Sequence, residues 1–344
     1  MAHIEHEMTQ PSPLLDERGR LVQTGWARQP LLDCNLEQAR FYQVRPLQRF
    51  RIKRWDYYGV TSPDLYFSVT LADLGYAGQV FVYVVDFADR TYHEETVTVP
   101  LGRGITLARN SSEGESRYDG RNLQARFDVE GEIRRVEVDW ADFGGSPLKA
   151  DLRFRVPTDH ESTVVVIPIG NRRFYYNRKI NGLPAEGLLR IGDTTTRFDR
   201  ATTLGNLDWG RGAWDYNSFW VWASASGFLG DGRRVGLNMG FGFGDTTAAT
   251  EHTLLLEGRI HKLPEVATDY EPGDFMRPWT MRSDRVDLTF VPFLERKAKT
   301  NLLLIRSEVH QLFGRYDGTV LADSGESIVI EGLVGWAEEH NARW

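Results

Sequence analysis

Apolar and polar positions alternate along most of this chain, which is the two-residue period of a half-buried β-strand. Gln79–Phe87 is apolar on both faces, which indicates a central strand. Strand-like segments recur about every ten to fourteen residues, a spacing typical of an all-β sandwich or barrel. The other predicted strands are Leu65–Leu71, Glu94–Pro100, Leu123–Val129, Ile133–Trp140, Leu152–Val156, Thr163–Ile169, Glu186–Ile191, Thr194–Phe198, Thr253–Leu256, Arg259–Leu263, Arg285–Leu294, Leu302–Phe313 and Ser327–Val334.

Two further strands between Leu204 and Asp245 are predicted to form a β-hairpin. Alternation in the first strand places bulky and small polar side chains on one face: Tyr216, Ser218, Trp220, Trp222, Ser224 and Ser226. One face of the second strand carries only small residues and an amide: Gly236, Asn238, Gly240, Gly242 and Gly244.

An even register of this hairpin, with Ser226 opposite Arg234, would set Trp222 against Asn238 and Trp220 against Gly240. An indole that covers a strand glycine is a known packing device. A strand glycine also marks a close approach by a ligand, a ring or another backbone. The pattern is therefore compatible with a plain barrel core or with a ligand cavity that aromatic side chains line.

Glycine and proline punctuation suggests how the chain is divided. The sequence NGLPAEG, which begins at Asn181, predicts a boundary between a first barrel at residues 47–184 and a second at residues 185–344. Residues 1–46 are predicted to be an N-terminal arm that wraps the surface or plugs an end. Helical periodicity is weak, and short helices are expected at most at Asn35–Ala39, Ser62–Asp64 or Asn206–Trp209.

Composition excludes several classes of function. The formal charge of −7 over 344 residues argues against a nucleic-acid partner, which requires basic patches. The single Cys34 excludes an internal disulfide and favours a reducing compartment. Because the chain shows no signal sequence and no apolar run of membrane-spanning length, we expect a soluble cytoplasmic protein. Transient membrane contact and the oligomeric state stay open.

Familiar catalytic and metal motifs are missing from the sequence. The 8 histidines form no HExxH motif and no metal-ligand pair beside a cysteine. The glycines of GFGFGD alternate as in a strand and no helix follows, so a dinucleotide site is not predicted. We therefore expect neither a metal nor a cofactor.

The first group of candidate site residues is Asp208-Trp209-Gly210-Arg211, followed by Trp214 and Tyr216. A carboxyl group in aromatic surroundings can have a raised pKa and act as a proton donor. Alternatively, Asp208 caps a turn or pairs with Arg211.

Two more groups lie on predicted strands. Tyr175, Asn177 and Lys179 share one face, which suits a hydrogen-bonding wall or an exposed strand. Lys53, Trp55 and Tyr57 share another face. There the lysine is a cation–π brace or an anion contact.

A fourth group, Thr250-Glu251-His252, follows the glycine-rich strand. Glu251 or His252 can serve as an acid, a base or an orienting residue. A buried structural pair is an equal alternative.

Several motifs in combination resemble the bacterial domain-of-unknown-function family 2804. They are FYYNRKINGLPAEG, LDWGRGAWDYNSFWVWASASG, GLNMGFGFGD with a following Thr-Glu, HKLP, FGRYDG and GLVGWAEEHNARW, and the resemblance covers nearly the whole chain. The chain departs from the family pattern at His252, where the resemblance predicts asparagine. The family is similar to two-barrel lipocalin-like (calycin) proteins such as hydroxyneurosporene synthase (carotenoid 1,2-hydratase) and related terpenoid cyclases. This resemblance implies two lipocalin-like antiparallel β-barrels packed together, with a pocket in or between them.

Residue pattern and resemblance together suggest cofactor-independent acid catalysis on an isoprenoid- or lipid-like alkene or alcohol. Asp208 is the first choice of proton donor and Glu251 the second. Aromatic side chains would stabilise a carbocation by cation–π contact. The product would follow from hydration, dehydration, isomerisation or cyclisation, as in a lyase or isomerase. The alternatives are a non-catalytic carrier of a hydrophobic ligand and a structural protein whose aromatic residues form only core.

Overall fold

The computed structural model describes residues 5–302 and 305–343. These residues form an almost entirely antiparallel β-structure with two short 3-10 helices, Leu36–Gln38 and Arg45–Phe50. The predicted all-β class is confirmed. The possible helix at Asn206–Trp209 is wrong, because these residues lie in a strand. Residues 303 and 304 of the predicted strand Leu302–Phe313 lie outside the described residues.

The strands in chain order are β1 (Ser12–Pro13), β2 (Gly25–Ala27), β3 (Leu32–Asp33), β4 (Lys53–Thr61), β5 (Leu65–Asp73), β6 (Ala77–Asp86), β7 (Thr91–Pro100), β8 (Ile105–Thr106), β9 (Gly114–Asp119), β10 (Leu123–Glu130), β11 (Ile133–Phe143), β12 (Ser146–Arg155), β13 (Thr163–Ile169), β14 (Arg173–Ile191), β15 (Thr194–Phe198), β16 (Leu204–Ala213), β17 (Asn217–Phe228), β18 (Arg234–Phe241), β19 (Thr253–Leu256), β20 (Arg259–Lys262), β21 (Ala267–Asp269), β22 (Trp279–Arg282), β23 (Val286–Leu302), β24 (Ile305–Leu321) and β25 (Ser327–Arg343).

The first sheet follows the order β7-β6-β5-β4-β16-β14-β12-β11-β10-β9-β8, with β13 and β15 paired to β14 and β2 paired to β13. Strand β14 joins two parts of this sheet. Its first half pairs with β13 and β16, and its second half pairs with β12 and β15. The register breaks between Ile180 and Leu183. Gly182 lies there with a φ of +68°, a backbone angle that residues with a side chain rarely adopt. The bend lets one long strand serve both parts.

The N-terminal arm contributes to the first core. Leu14, Leu15 and Leu32 are buried in the same apolar cluster as Val60 of β4, and the Tyr176 hydroxyl of β14 donates to the Leu32 carbonyl at 3.2 Å. The arm also reaches the second half of the chain, where the Lys262 ammonium lies 2.7 Å from the Glu5 carboxylate.

The second sheet follows the order β20-β19-β18-β17-β25-β24-β23-β22-β21. The predicted hairpin forms its β17–β18 pair, but the register differs from the expected one by two residues. Trp222 lies opposite Gly240, and Ser224 lies opposite Asn238. The strands continue to Phe228 opposite Arg234, so the turn is tighter than the predicted one. Because a shift of two preserves the alternation, the same side chains share each face.

The division between the two sheets falls between β16 and β17. The expected boundary between residues 184 and 185 falls inside β14, and β16 also pairs within the first sheet, with β14 and β4. The second sheet begins with β17 at Asn217. The sequence NGLPAEG marks the bend of a continuous strand instead of a linker.

The two faces of β17 serve different purposes. Val221, Ala223 and Ala225 point into the apolar core of the second sheet. On the opposite face, Trp222 belongs to an aromatic cluster with members from both sheets, which we call the inter-sheet cluster. It contains Tyr57, Tyr66, Tyr83, Val85, Trp222, Phe313 and Trp336.

Helices of membrane-spanning length and apolar character are not found among residues 5–302 and 305–343.

Candidate functional site

Three of the four predicted residue groups meet on one face of the first sheet. In the paired strands β14, β16 and β4, Lys179 lies opposite Asp208, and Asp208 lies opposite Tyr57. Two residues further along each strand, Asn177 lies opposite Gly210, and Gly210 lies opposite Trp55. Directly opposed side chains in antiparallel strands share a face. This face meets the second sheet at the inter-sheet cluster.

Asp208 and Lys179 form a buried ion pair at the centre of this face. The Lys179 ammonium is 3.1 Å from Asp208 Oδ2, and both side chains are at most 10% exposed. The Asn177 amide donates to Asp208 Oδ1 at 2.6 Å and to the Trp209 carbonyl at 2.9 Å. The charge of Asp208 is therefore compensated by a cation and an amide donor, and the alternative pairing with Arg211 is not formed, because Arg211 pairs with Asp56.

Trp222 and Asn238 supply the side of the site that belongs to the second sheet. The Lys179 ammonium lies 4.2 Å from the centre of the Trp222 ring, a cation–π distance. The indole nitrogen donates to Asn238 Oδ1 at 2.8 Å, and the Asn238 amide donates to the Glu251 carbonyl at 2.9 Å. One face of the Trp222 ring is thus already in contact with the Lys179 ammonium.

Glu251 places a second carboxyl group beside Lys179. Its Oε2 lies 3.9 Å from the Lys179 ammonium, and its Oε1 has no hydrogen-bond partner among the described residues. Burial raises the pKa of Glu251 and the nearby charge of Asp208 adds to the rise, against the opposing effects of Lys179 and the Tyr175 hydroxyl. This carboxyl group retains a proton at a higher pH than an exposed glutamate does.

Gly240 permits the close approach of Glu251. A Cβ atom at position 240 would lie 2.7 Å from Glu251 Oε2, which is too close for any real Cβ contact. The predicted role of a strand glycine, a close approach by another group, therefore applies here, and the approaching group is a carboxyl of the protein itself.

Sequence reasoning missed a third buried carboxyl group, that of Glu338 on β25. The Trp220 indole nitrogen donates to its Oε1 at 3.3 Å, and the Gln311 amide donates to its Oε2 at 3.1 Å. Burial raises the pKa of Glu338 to about 7, partly offset by Arg296. Alternation in the tail, with Trp336 and Glu338 on one face, was the available signal.

Arg296 extends this network across the two sheets. Its guanidinium donates to Gln311 Oε1 at 3.2 Å and binds both oxygens of Glu94, at 2.9 and 3.0 Å. It also lies 4.1 Å from the centre of the Tyr83 ring. The Tyr57 hydroxyl bonds to the hydroxyls of Tyr66 and of Tyr83, the latter at 3.0 Å. Polar groups of both sheets thus satisfy one another's hydrogen bonds among aromatic side chains.

A series of stacked aromatic rings adjoins Glu251 through Tyr175 and Glu338 through Trp220. Neighbouring ring centres in the series Trp214, Trp55, Tyr175, Phe243 and Trp220 are 5.1, 6.2, 4.4 and 5.1 Å apart, and we call these residues the aromatic stack. The His340 ring lies 3.9 Å from Trp220.

Phe243 joins this stack from a turn and not from a strand. The predicted strand alternation through Gly244 fails beyond Phe241, where β18 ends, because Gly242 and Gly244 adopt φ values of +100° and +53°. The two glycines let the chain fold back so that Phe243 lies on Tyr175.

Trp209 and Arg211 point away from this site. They occupy the opposite face of β16, inside the first sheet, where the Arg211 guanidinium lies 4.2 Å from the Trp209 ring centre. Arg211 forms a buried ion pair with Asp56 at 2.8 Å. Strand alternation separates Asp208 from these two neighbours, so the first predicted group divides between two faces.

Three other predicted residues lie outside the centre of this site. The Lys53 ammonium donates to the carbonyls of Phe50 and Leu74 and lies 4.3 Å from the Tyr76 ring, which fits the predicted brace. His252 is buried, and burial lowers its pKa to about 3. Tyr216 is exposed, with the Arg343 guanidinium 5.0 Å from its ring centre.

Comparison with solved structures finds several chains that align over most of their length. CghA solved with Sch210972 has a TM-score of 0.52 at 13% identity, covering 85% of this chain and 88% of that one. An AttH-like protein of Nitrosomonas europaea has a TM-score of 0.49 at 12% identity, with 84% and 92% covered. Kievitone hydratase of Nectria haematococca has a TM-score of 0.44 at 10% identity, with 85% and 88% covered. At such identity the likeness to CghA shows the fold alone, and it agrees with the predicted all-β architecture, which the structure builds from two curled antiparallel sheets.

Sequence comparison identifies the family. No curated protein matches the chain. The family model described as "Domain of unknown function (DUF2804)" matches residues 5–344. The chain therefore belongs to this family, as its motifs predicted.

Proposed function

We propose that the protein carries out cofactor-independent acid catalysis on a hydrophobic alkene or alcohol, with Glu251 as the proton donor. One observation carries the proposal: Glu251 is a buried carboxyl group with a raised pKa and an oxygen atom without a hydrogen-bond partner among the described residues. A protonated carboxyl group beside aromatic rings is suited to protonate an alkene or the hydroxyl of an alcohol.

The other two buried carboxyl groups suit this role less well. Asp208 is the ion-pair partner of Lys179 and accepts a hydrogen bond from Asn177. Glu338 has a raised pKa, but both of its oxygens accept hydrogen bonds, from Trp220 and Gln311. We therefore assign Asp208 as the counter-ion of Lys179. This reverses the order of preference that the sequence suggested.

Proton balance is straightforward for hydration. Glu251 gives its proton to one alkene carbon, a water oxygen adds to the neighbouring carbon, and the proton that this water loses returns to the carboxylate. Loss of a carbon-bound proton instead of water addition gives an isomer, and attack by a second alkene gives a ring. Aromatic side chains that face the intermediate cation contribute about 0.5–2 kcal/mol each.

Access to Glu251 requires movement of the aromatic stack. Tyr175, whose hydroxyl interacts with Glu251, is covered by Phe243 at a ring separation of 4.4 Å. Phe243 is half-buried and lies between two glycines with positive φ, so it is the member of the stack that a ligand displaces most easily. The exclusion of water after closure would strengthen electrostatic interactions at the carboxyl group.

A solvent-label experiment tests the proposal. We would incubate the protein in D₂O with isoprenoid alcohols (geraniol, linalool and farnesol) and with oleic acid, and analyse the products by mass spectrometry. Dehydration of an alcohol is detected as an alkene product, whereas protonation of an alkene introduces deuterium at carbon. Glu251→Gln is expected to lower this incorporation by about 10²-fold or more, while Glu186→Gln, an exposed control, is expected to leave it unchanged.

Two outcomes would contradict the assignment. Full deuterium incorporation in Glu251→Gln excludes Glu251 as the proton donor. Bound isoprenoid or acyl lipid in an organic extract of the purified protein, together with neither deuterium incorporation nor dehydration by the wild type, would instead identify a carrier.

A further inference from the structure

Four arginines line a surface pocket beside the aromatic stack. The pocket lies between the N-terminal arm and the β13–β14 turn and has a volume of ≈ 370 Å³. Its lining residues are Arg40, Phe41, Tyr42, Arg51, Asn171, Arg172 and Arg173. In a chain with a formal net charge of −7, this local concentration of positive charge calls for an explanation.

Of these four guanidinium groups, only that of Arg173 has a carboxylate partner among the described residues. Arg173 pairs with Asp215 at 2.6 Å. Its Nε atom is buried and has no hydrogen-bond partner within residues 5–302 and 305–343. Arg51 donates from Nη2 to the Trp214 carbonyl at 2.9 Å, and Arg172 donates from Nη1 to the Arg40 carbonyl at 3.1 Å. Each guanidinium carries five N–H donors, so Arg51 and Arg172 retain donors for a ligand.

Backbone strain at Arg172 is an independent observation. Arg172 has a φ of +62° in the turn between β13 and β14. This left-handed conformation is uncommon for residues other than glycine and asparagine. A side chain that is kept at a strained position often has a functional role.

We infer that this pocket binds a phosphate or carboxylate group. Guanidinium groups bind both with paired, charge-assisted hydrogen bonds, and several around one cavity match an anion with several oxygens.

The arginine-lined pocket adjoins the aromatic stack. Arg51 is bonded to Trp214, and Arg173 is two residues from Tyr175. An amphipathic ligand with its acidic group in the pocket would lay its apolar part along Trp214 and Tyr175. This assignment of the pocket to the substrate's acidic end rests on the proposed function, whereas anion binding itself does not.

Calorimetric titration tests the pocket directly. The probes are pyrophosphate and decanoate, each at constant ionic strength so that non-specific charge effects are equal. We expect saturable binding of at least one probe to the wild type. Pyrophosphate binding alone indicates a phosphate site, and decanoate binding alone indicates a carboxylate site.

Matched variants separate binding from folding. Arg172→Gly removes the guanidinium but suits the positive φ, so the ligand-free variant is expected to melt at or above the wild-type temperature while its affinity falls about tenfold or more. Arg51→Gln is expected to lower affinity similarly. Arg153→Gln removes an exposed arginine outside the pocket and is expected to leave affinity within about twofold of the wild type.

The result that overturns the inference is the absence of saturable binding of either probe, or an equal loss of affinity in Arg153→Gln. Glu251→Gln is expected to bind the probe as the wild type does. Failure of the proton-donor assignment would therefore not affect the anion-site inference, and absence of probe binding to the wild type would say nothing against Glu251.

Discussion

At the scale of single residues, three buried carboxyl groups differ through their neighbours. Asp208 has a lysine at 3.1 Å, Glu338 has two hydrogen-bond donors, and Glu251 keeps one oxygen without a partner among the described residues. Similar side chains thus take different roles, because burial disfavours the charged form while cations and donors favour it. Environment, and not residue type, assigns the chemistry.

The raised pKa of Glu338 makes stability depend on pH in a defined direction. The folded protein keeps this proton up to about pH 7, whereas the unfolded chain releases it near the ordinary value of 4.5. Relative to Glu338→Gln, the wild type therefore loses stability as pH rises through this window, by about 3 kcal/mol in total, and the difference is constant above it. Urea unfolding of both proteins from pH 4 to pH 8 measures this.

Comparison with the glutamine variant cancels the titration of all other groups. A stability difference between the two proteins that stays constant from pH 4 to pH 8 would show that Glu338 titrates normally.

At the scale of strands, the glycines of β16 and β18 make room for side chains of adjacent elements. A Cβ atom at Gly210 would lie 2.1 Å from the Trp55 ring, which rests on the β16 backbone. Gly210→Ala must push this indole into the aromatic stack, and overpacking of this kind costs about 1–3 kcal/mol. Thermal unfolding is expected to shift downwards accordingly.

A matched control comes from the β17–β18 turn. A Cβ atom at Gly230 would meet nothing within 4 Å, so Gly230→Ala is expected to be neutral or slightly stabilising. Equal melting temperatures of the two alanine variants would contradict the view that Trp55 packs on Gly210.

Strand alternation explains which features the sequence could predict. It correctly placed Tyr175, Asn177 and Lys179 on one face, because side-chain direction alternates in any strand. It could not supply the register of the hairpin, which depends on the turn. Glu338 escaped notice because its partner Trp220 is 118 positions away, and no local pattern reports such a contact. Local patterns thus predict faces, whereas partners come from topology.

At the scale of the whole molecule, buried polar groups join the two sheets. Lys179 of β14 lies over Trp222 of β17, and the Asn181 amide donates to Ser224 Oγ at 2.8 Å and to the Leu237 carbonyl at 3.3 Å. A polar group that loses such a partner in a dry interior is costly. Separation of the sheets would break many of these contacts together, so we expect them to unfold as one unit.

Arg296 provides the test of this coupling, because it is buried in the second sheet and binds Glu94 of the first. Arg296→Met leaves the Glu94 carboxylate without its partner, which costs about 3–5 kcal/mol. We expect tryptophan fluorescence and far-ultraviolet circular dichroism to follow one urea transition, shifted equally for both probes. Arg135→Met breaks only exposed pairs with Glu137 and Asp151, so its cost is expected to stay below about 1 kcal/mol. Two separate transitions, with only one displaced by Arg296→Met, would show that each sheet is stable alone and that the Arg296–Glu94 ion pair does not couple them.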